Sequence, residues 1–349
     1  MALNATLSNP SQVLQRNESL FSGKSILVAG NIDDHYPIEL QTIASSSCFC
    51  FNDFRYYEKL KDKLQPSEVQ FTANYQPKEK QNKFDLLLIY IPKAKAEIEY
   101  LLANLTPHLT EDADIVLVGE KKCGIKSVSG LLKPYSDNSN TIDSARHCSV
   151  IYAQLNKTVK PFVQADWIKE YQLNIDDISL TVCSLPGVFS FGELDKGSEL
   201  LLKNLPNTLE GEGLDFGCGA GVLSSYLLKK HKQLKMDLID VNIYAIESAK
   251  LTLEKNTLSA NVFASDVFSH VNKEYDLLLS NPPFHSGQKT NYDAAETFIN
   301  QSINFLKKKG KMTIVANKFL RYEPLLTATY QKFSEDTQNN KFKVLSCLK

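Results

Sequence analysis

Asp215-Phe-Gly-Cys-Gly-Ala-Gly221, followed by Val-Leu-Ser-Ser-Tyr-Leu-Leu-Lys-Lys230, is the stretch that decides the fold of this chain. Its glycines permit backbone conformations with positive φ, and the missing side chains let a ligand approach the backbone closely. The turn lies between an apolar strand that ends at Phe216 and a helix predicted over Val222–Lys230. A strand, a glycine turn and a helix in this order are typical of nucleotide-binding α/β folds.

The rest of the C-terminal half alternates between predicted strands and helices. We predict strands at Leu214–Phe216, Met236–Asp240, Asn261–Ser265, Tyr275–Ser280, Lys311–Ala316 and Phe342–Cys347. We predict helices at Ser198–Leu205, Val222–Lys230, Ile243–Asn256 and Ala294–Lys309. The last helix would end in the solvated lysine run 307–309, with Gly310 as its stop. This alternation predicts a doubly wound, mostly parallel sheet with helices on both faces.

The N-terminal half repeats this alternation of strands and helices, but it lacks the glycine turn and the Asn-Pro-Pro-Phe sequence of the second half. Phe84-Asp-Leu-Leu-Leu-Ile89 resembles Tyr275-Asp-Leu-Leu-Leu-Ser280, and a predicted helix and an apolar strand follow each. The turn in Leu27-Val-Ala-Gly-Asn-Ile-Asp-Asp34 has one glycine, and Tyr90-Ile-Pro-Lys93 stands where the second half has Asn-Pro-Pro-Phe284. We predict two tandem Rossmann-like α/β domains, residues 1–155 and 156–349, the first with a degenerate cofactor site. Coincidence is the alternative, because all doubly wound sheets share this alternation.

Three acids accompany the glycine turn and indicate the kind of ligand. Asp215 precedes the turn and suits a cationic amino-acid group better than a pyrophosphate. Asp240 ends the second strand, where such folds place a carboxylate for the ribose hydroxyls. Asp266 follows the third strand and could hold the exocyclic amine of adenine. A ligand with an adenosine and a positively charged amino-acid arm fits these three acids, and S-adenosylmethionine is such a ligand. Its predicted binding residues are Asp215, Gly217, Gly219, Gly221, Asp240 and Asp266.

Asn281-Pro-Pro-Phe284 follows the predicted fourth strand and is the candidate catalytic corner. The Asn281 side-chain oxygen and the Pro282 carbonyl can each accept one N–H bond, which aims the lone pair of an aromatic amine at a methyl donor. Phe284 offers a face for stacking a base, worth roughly 1–3 kcal/mol. His285 is more often a satisfied or solvent-facing residue than a base at such a position. The alternative is a turn that only ends the strand.

Composition narrows the class of protein. The 349 residues, 43% hydrophobic and 23% charged, are typical of a globular chain of about two domains. A net charge of −1 means that any nucleic-acid surface must be a local basic patch. The seven cysteines contain no Cys-x-x-Cys and no zinc-ligand spacing with histidine, so we expect reduced thiols and no metal. No signal peptide or membrane span is visible, and we expect a cytoplasmic monomer.

The chain resembles the bacterial ribosomal RNA small subunit methyltransferase C family. The motifs that carry the resemblance are Leu185-Pro-Gly-Val-Phe-Ser190, Leu194-Asp-x-Gly-Ser198, Asp215-x-Gly-Cys-Gly-Ala-Gly221, Val262-Phe-Ala-Ser-x-Val-Phe-Ser269, Ser280-Asn-Pro-Pro-Phe-His285 and Ile314-Val-Ala-Asn-x-Phe-Leu320. The resemblance covers essentially the whole chain and implies two methyltransferase-like domains. The first would support folding and RNA binding, and the second would bind S-adenosylmethionine and methylate the exocyclic N2 of a guanine in 16S rRNA within the small ribosomal particle. Asp266 stands where the family has Asn, and it keeps an acceptor for the adenine amine.

Other functions remain open from the sequence. A similar corner serves methyltransferases of a large-subunit guanine, of adenine or of a protein glutamine amide. A non-catalytic ribosome-assembly factor is less favoured, because the glycine turn, Asp240 and Asn281 are intact. Five lysines near the ends of two apolar N-terminal strands are candidate phosphate contacts: Lys93, Lys95, Lys121, Lys122 and Lys126. Residues 155–209 are either a linker or a segment that folds over the ligand.

Overall fold

The computed structural model describes residues 6–65, 69–78, 83–282, 289–330 and 332–349. The chain forms two compact units, Met1–Ile168 and Lys169–Lys349. The predicted division into a domain of residues 1–155, for RNA binding and folding support, and a catalytic domain of residues 156–349 stays a prediction.

The first unit is built on one seven-stranded sheet. Its strands are β1 (Ser25–Gly30), β2 (Ser46–Phe51), β3 (Val69–Phe71), β4 (Phe84–Tyr90), β5 (Leu109–Glu120), β6 (Ser139–Ala145) and β7 (Cys148–Gln154). Its helices are α1 (Asn9–Gln15), α2 (Tyr36–Ile43), α3 (Phe54–Leu60), α4 (Lys95–Leu105) and α5 (Ser129–Leu132). The strand order is β3-β2-β1-β4-β5-β7-β6, parallel as far as β5 and antiparallel at β7 and β6.

Both faces of this sheet are buried. Ile26, Val28, Leu86 and Leu88 belong to one apolar cluster, and their neighbours Leu27 and Leu87 belong to another. Because successive side chains of a strand point to opposite faces, the continuous apolar runs of β1 and β4 supply both cores.

The second unit has the same plan. Its strands are β8 (Lys169–Ile175), β9 (Ile178–Ser184), β10 (Gly211–Phe216), β11 (Leu234–Asp240), β12 (Asn261–Ala264), β13 (Tyr275–Ser280), β14 (Leu306–Asn317), β15 (Phe333–Gln338) and β16 (Phe342–Leu348). Its helices are α6 (Lys196–Lys203), α7 (Val222–Lys230), α8 (Ile243–Lys255), α9 (Lys289–Ser302) and α10 (Glu323–Tyr330). The main sheet has the order β12-β11-β10-β13-β14-β16-β15, which matches that of the first unit strand for strand. The predicted pair of doubly wound sheets is confirmed.

The helix predicted over Ala294–Lys309 is wrong at its end. The helix stops at Ser302, and the lysine run lies in the first residues of β14. Lys307 binds Asp276 at 2.9 Å across the sheet, and Gly310 accepts a backbone bond from Lys349 at 3.1 Å. Gly310 is therefore a strand residue and not a helix stop. These partners are distant in sequence, so local pattern favoured the helix.

The same irregularity occurs in both units. The pairing of β13 with β14 shifts between Tyr275 and Leu277, and that of β4 with β5 shifts between Phe84 and Leu86. In each case the extra residues of the longer strand include one with positive φ, which is 66° at Lys309 in β14 and 61° at Asp112 in β5. A repeated bulge at the same place supports duplication over coincidence.

Part of the segment predicted as a linker or a cover is a hairpin of the second unit. Strands β8 and β9 pair in antiparallel fashion, and β9 packs on α8. Side chains at successive turns of α8 and at the residue that follows it bond the backbone along the edge of β9. Asn256 accepts from Thr181 N at 3.0 Å, Thr252 accepts from Cys183 N at 3.0 Å, and Ser248 accepts from Leu185 N at 2.9 Å. The hairpin is thus part of the second unit and not a free linker. A role over the ligand stays a prediction.

Candidate active site

The glycine turn and the corner that begins at Asn281 lie side by side at one edge of the main sheet of the second unit. Strand β10 lies between β11 and β13, and the carboxyl ends of parallel strands share an edge. The backbone N–H of Gly217 donates to Ile239 O at 2.9 Å, which ties the glycine turn to β11. The Ser280 hydroxyl donates to Phe216 O at 2.8 Å, which ties the end of β13 to the start of the same turn. The turn and the Asn-Pro corner therefore form one site.

The glycines of the turn have two different roles. Gly217, Gly219 and Gly221 all have positive φ, at 68°, 53° and 72°. A Cβ at Gly217 or Gly219 would meet only open space, so the backbone at these positions is uncovered on that side. A Cβ at Gly221 would lie 3.1 Å from the Cβ of Ala249. Gly221 therefore permits close packing of α8, in addition to the turn.

Asp215 lies beneath the turn and is fully buried. Its Oδ2 accepts from the Ser224 hydroxyl at 2.7 Å, and its Oδ1 has no partner among the described residues. Burial raises the pKa of Asp215 to about 6. An unpartnered buried carboxylate oxygen is costly, and a positively charged group near it would lower that cost. This observation fits the amino group of S-adenosylmethionine.

Asp240 lies at the end of β11, beside the turn. Its Oδ2 accepts from Gly219 N at 3.1 Å, and its Oδ1 accepts from Asn242 N at 2.9 Å. These bonds fix the plane of the carboxylate at the position predicted for the ribose. The Asp240 carbonyl accepts from Ser265 N at 3.1 Å, which brings the half-buried Asp266 to the same edge.

Asn281 follows β13 and is held by α6. Its Nδ2 donates to Asp195 Oδ2 at 2.8 Å and to Ser198 Oγ at 2.9 Å. Sequence reasoning did not assign a role to these two partners, although the motif Leu194-Asp-x-Gly-Ser198 contains both. Pro282 is buried next to Asn281. Pro283, Phe284 and His285 lie outside the described residues.

The equivalent edge of the first unit is closed. Gly30 also has positive φ, at 94°, but a Cβ there would collide with the carbonyl oxygen of Tyr90. Asp34 is buried, and its carboxylate accepts from Ser8 N at 2.7 Å and from Tyr36 N at 2.9 Å. Backbone N–H groups of the chain itself therefore already donate to both oxygens of Asp34, the acid that follows this turn. The geometry agrees with a degenerate cofactor site.

Two family descriptions together match nearly the whole chain. Residues 11–171 match the family described as Methyltransferase small domain N-terminal, and residues 179–346 match Methyltransferase small domain. The ribosomal RNA small subunit methyltransferase C of Psychromonas ingrahamii is 64% identical, over 99% of this chain and 98% of that one. The protein of the same name from Vibrio parahaemolyticus is 43% identical, over 96% of each chain.

The chain belongs to the ribosomal RNA small subunit methyltransferase C family. The family and enzyme class predicted from the sequence are confirmed, as is S-adenosylmethionine, the methyl donor of this family. A solved structure of the T. thermophilus 16S rRNA N2 methyltransferase, in complex with AdoMet and guanosine, has the same fold. It aligns with a TM-score of 0.87 at 22% identity, over 100% of this chain and 94% of that one.

Within the described part of the chain, none of the helices has the length and apolar composition that a membrane span requires. No group of three or more His, Cys, Asp or Glu side chains in these same ranges could hold a metal ion.

Proposed function

We propose that this protein transfers a methyl group from S-adenosylmethionine to the exocyclic N2 of one guanine in 16S rRNA, within the small ribosomal particle. The observation that carries the proposal is the position of Asn281 beside the glycine turn, joined to it through Ser280 and Phe216. Membership in the methyltransferase family supports the reaction class, and the guanosine bound to the T. thermophilus relative supports the base.

The chain's own residues suit an aromatic amine. With Nδ2 of Asn281 bonded to Asp195 and Ser198, its Oδ1 is left to accept an N–H bond from the guanine. The Pro282 carbonyl can accept the second N–H, and both bonds draw the nitrogen from a planar toward a tetrahedral geometry, which aims its lone pair at the methyl donor. When bound, S-adenosylmethionine supplies an electrophilic methyl group, which the nitrogen takes as the sulfonium becomes a thioether. Positioning of this kind supplies several kcal/mol of a barrier, and the released proton can pass to water.

The cofactor pocket we propose consists of the open backbone at Gly217 and Gly219 together with the three acids. Asp215 would face the amino group through its unpartnered Oδ1, and Asp240 would hold the ribose. Asp266 would accept from the adenine amine. Phe284, outside the described residues, is the proposed stacking face for the guanine.

A single flipped base carries too little information to select one guanine in a ribosomal RNA. We assign the remaining selectivity to residues 1–155 and catalysis to residues 156–349. The five candidate phosphate contacts are exposed: Lys93, Lys95, Lys121, Lys122 and Lys126. The first two follow β4 and the others follow β5, so they share one edge of the sheet. Lys122 pairs with Glu120 at 2.5 Å and Lys95 with Glu99 at 3.7 Å, and such exposed pairs are weak enough for phosphate to replace.

The test is methyl transfer from labelled cofactor to purified small particles, large particles and naked 16S rRNA, followed by mapping of the modified base. We expect label on N2 of one guanine in the small particle, with less on naked RNA. Neutralising the five lysines together should lower particle affinity and its salt dependence, with cofactor affinity unchanged. Label on adenine, on a large-subunit guanine or only on a protein glutamine would overturn the assignment. We further propose that the protein acts as a monomer in the cytoplasm, where its substrate particle assembles.

A further inference from the structure

The side-chain amide of Asn281 has a defined orientation because of its partners. A carboxylate accepts hydrogen bonds and cannot donate one when ionised, so the atom 2.8 Å from Asp195 Oδ2 must be the nitrogen of the amide. Ser198 Oγ takes the second proton of the same nitrogen at 2.9 Å. Both amide protons are thus used, and the oxygen must point away from α6.

These partners are themselves fixed. Asp195 is the N-cap of α6, and its Oδ2 also accepts from Gly197 N at 2.8 Å and from Ser198 N at 3.0 Å. Gly197 is buried so close to Phe342 that a Cβ would lie 3.2 Å from that ring. Helix α6 packs on β14 and β16. The N-terminus of α6 is therefore held against the sheet, and it holds the amide in turn.

The first unit contains the same contact with different residues. Helix α1 packs on β5 and β7, which correspond to β14 and β16 in the shared strand order. Ser11, three residues after the N-cap of α1, lies with its Oγ 2.9 Å from the hydroxyl of Tyr90. Tyr90, the last residue of β4, corresponds in sequence to Asn281, which directly follows β13. The helix-to-strand contact is common to both units, but only the second has a carboxylate and an amide in it.

We propose that Asp195 and Ser198 are positioning residues that hold the Asn281 amide with its oxygen toward the substrate amine. The inference rests on the proposed function, which makes that amine the exocyclic N2 of guanine. A half-turn of the amide would present its NH₂ group to another NH₂ group. Two donors cannot bond each other, so the reversed amide would repel the substrate amine and leave its nitrogen planar, with the lone pair delocalised into the ring.

The first measurement does not need the substrate. With asparagine as the isotope-labelled residue, the two Asn281 side-chain protons are identified by their loss in Asn281→Ala, and their exchange with water is followed by NMR. We expect slow exchange in the wild type, and exchange at least tenfold faster in Asp195→Asn and Ser198→Ala. Fast exchange in the wild type would overturn the inference.

The second measurement is the single-turnover rate of methyl transfer to small particles at saturating cofactor. We expect the rate to fall roughly tenfold in Ser198→Ala and more in Asp195→Asn, which keeps a good N-cap but loses the carboxylate. Ser198→Thr retains the hydroxyl and should restore most of the rate. Ser11→Ala removes the matching contact of the first unit and is the control, with activity unchanged.

A double-mutant cycle separates positioning from general damage. In an Asn281→Ala background, Ser198→Ala should lower the residual rate less than twofold, because the group it positions is gone. Cofactor affinity should be unchanged in all variants. Full additivity of the two substitutions, or wild-type rates in both Ser198→Ala and Asp195→Asn, would overturn the inference. A wild type that is inactive on small particles yet shows slow amide exchange would count against the proposed function alone.

Discussion

Replacing Asp215 with Asn should remove a pH dependence from the stability of the ligand-free catalytic unit. Asp215 is fully buried, and one of its oxygens has no partner among the described residues. Burial raises its pKa from 3.8 to about 6, against the opposing effect of the Ser224 hydroxyl. Asn keeps an oxygen that can accept from Ser224 and carries no charge at any pH.

The sign and size follow from the two pKa values. A carboxyl group with a higher pKa in the folded state binds its proton more tightly there, so its full contribution to stability exists below about pH 4 and is lost as the pH rises through about 6. The difference corresponds to about 3 kcal/mol of unfolding free energy. The wild type should therefore lose about this much relative to Asp215→Asn between pH 4 and pH 7. Absolute stability at one pH is less informative, because the new amide N–H is itself unpartnered.

The assay is urea unfolding of the ligand-free protein at several pH values, followed by hydrogen exchange of peptides from β10 and α7. Peptide resolution matters because a chain with two units need not unfold in one step. Asp177→Asn, an exposed turn residue between β8 and β9, is the control. Parallel pH profiles for wild type and Asp215→Asn would refute the reasoning. The same variant should bind S-adenosylmethionine more weakly, since no anion then faces its amino group.

Three further predictions test the site. Asp240→Ala should weaken cofactor binding by roughly 1–3 kcal/mol through lost hydrogen bonds to the ribose, and calorimetry with an unchanged Kd would show that the ribose lies elsewhere. Asn281→Ala should remove most of kcat with the cofactor Kd unchanged, and near-native turnover on small particles would make the corner structural. Gly221→Ala should destabilise the protein by about 1–3 kcal/mol more than Gly217→Ala, because only the former crowds α8. Equal melting temperatures for these two glycine variants would contradict the assigned roles.

Sequence reasoning succeeded where the signal was local. Helix α7 has the predicted bounds, Val222–Lys230, and the strand Tyr275–Ser280 is as predicted. The positions of Asp240 and Asn281 at one edge followed from the alternation of strands and helices alone. Continuous apolar runs and a glycine turn are properties of neighbouring residues, so they can be identified without knowing the fold.

Sequence reasoning failed where contacts between residues distant in the chain determine the local structure. The lysines at the start of β14 looked like a helix end, because their partner Asp276 and the backbone of Lys349 are brought to them only by the sheet. The sequence left the segment of the hairpin 169–184 open between a linker and a cover over the ligand, because the polar side chains of α8 that complete its edge are distant in sequence. Asp195 had no assigned role for the same reason: its contact with Asn281 joins two segments far apart in the chain.

The self-contained strand order of each sheet has a consequence for synthesis on the ribosome. Within the described ranges, every strand of the first sheet lies between Ser25 and Gln154, and no strand from beyond Lys169 joins it. At roughly 5–20 residues per second, translation of the second half takes on the order of ten seconds, and domains generally fold as units in the order in which they emerge. The first unit can therefore finish folding while the second half is still nascent. Substitutions in the methyl-transfer site then act on a chain whose N-terminal half is already native, and their effect on yield should be confined to the later half.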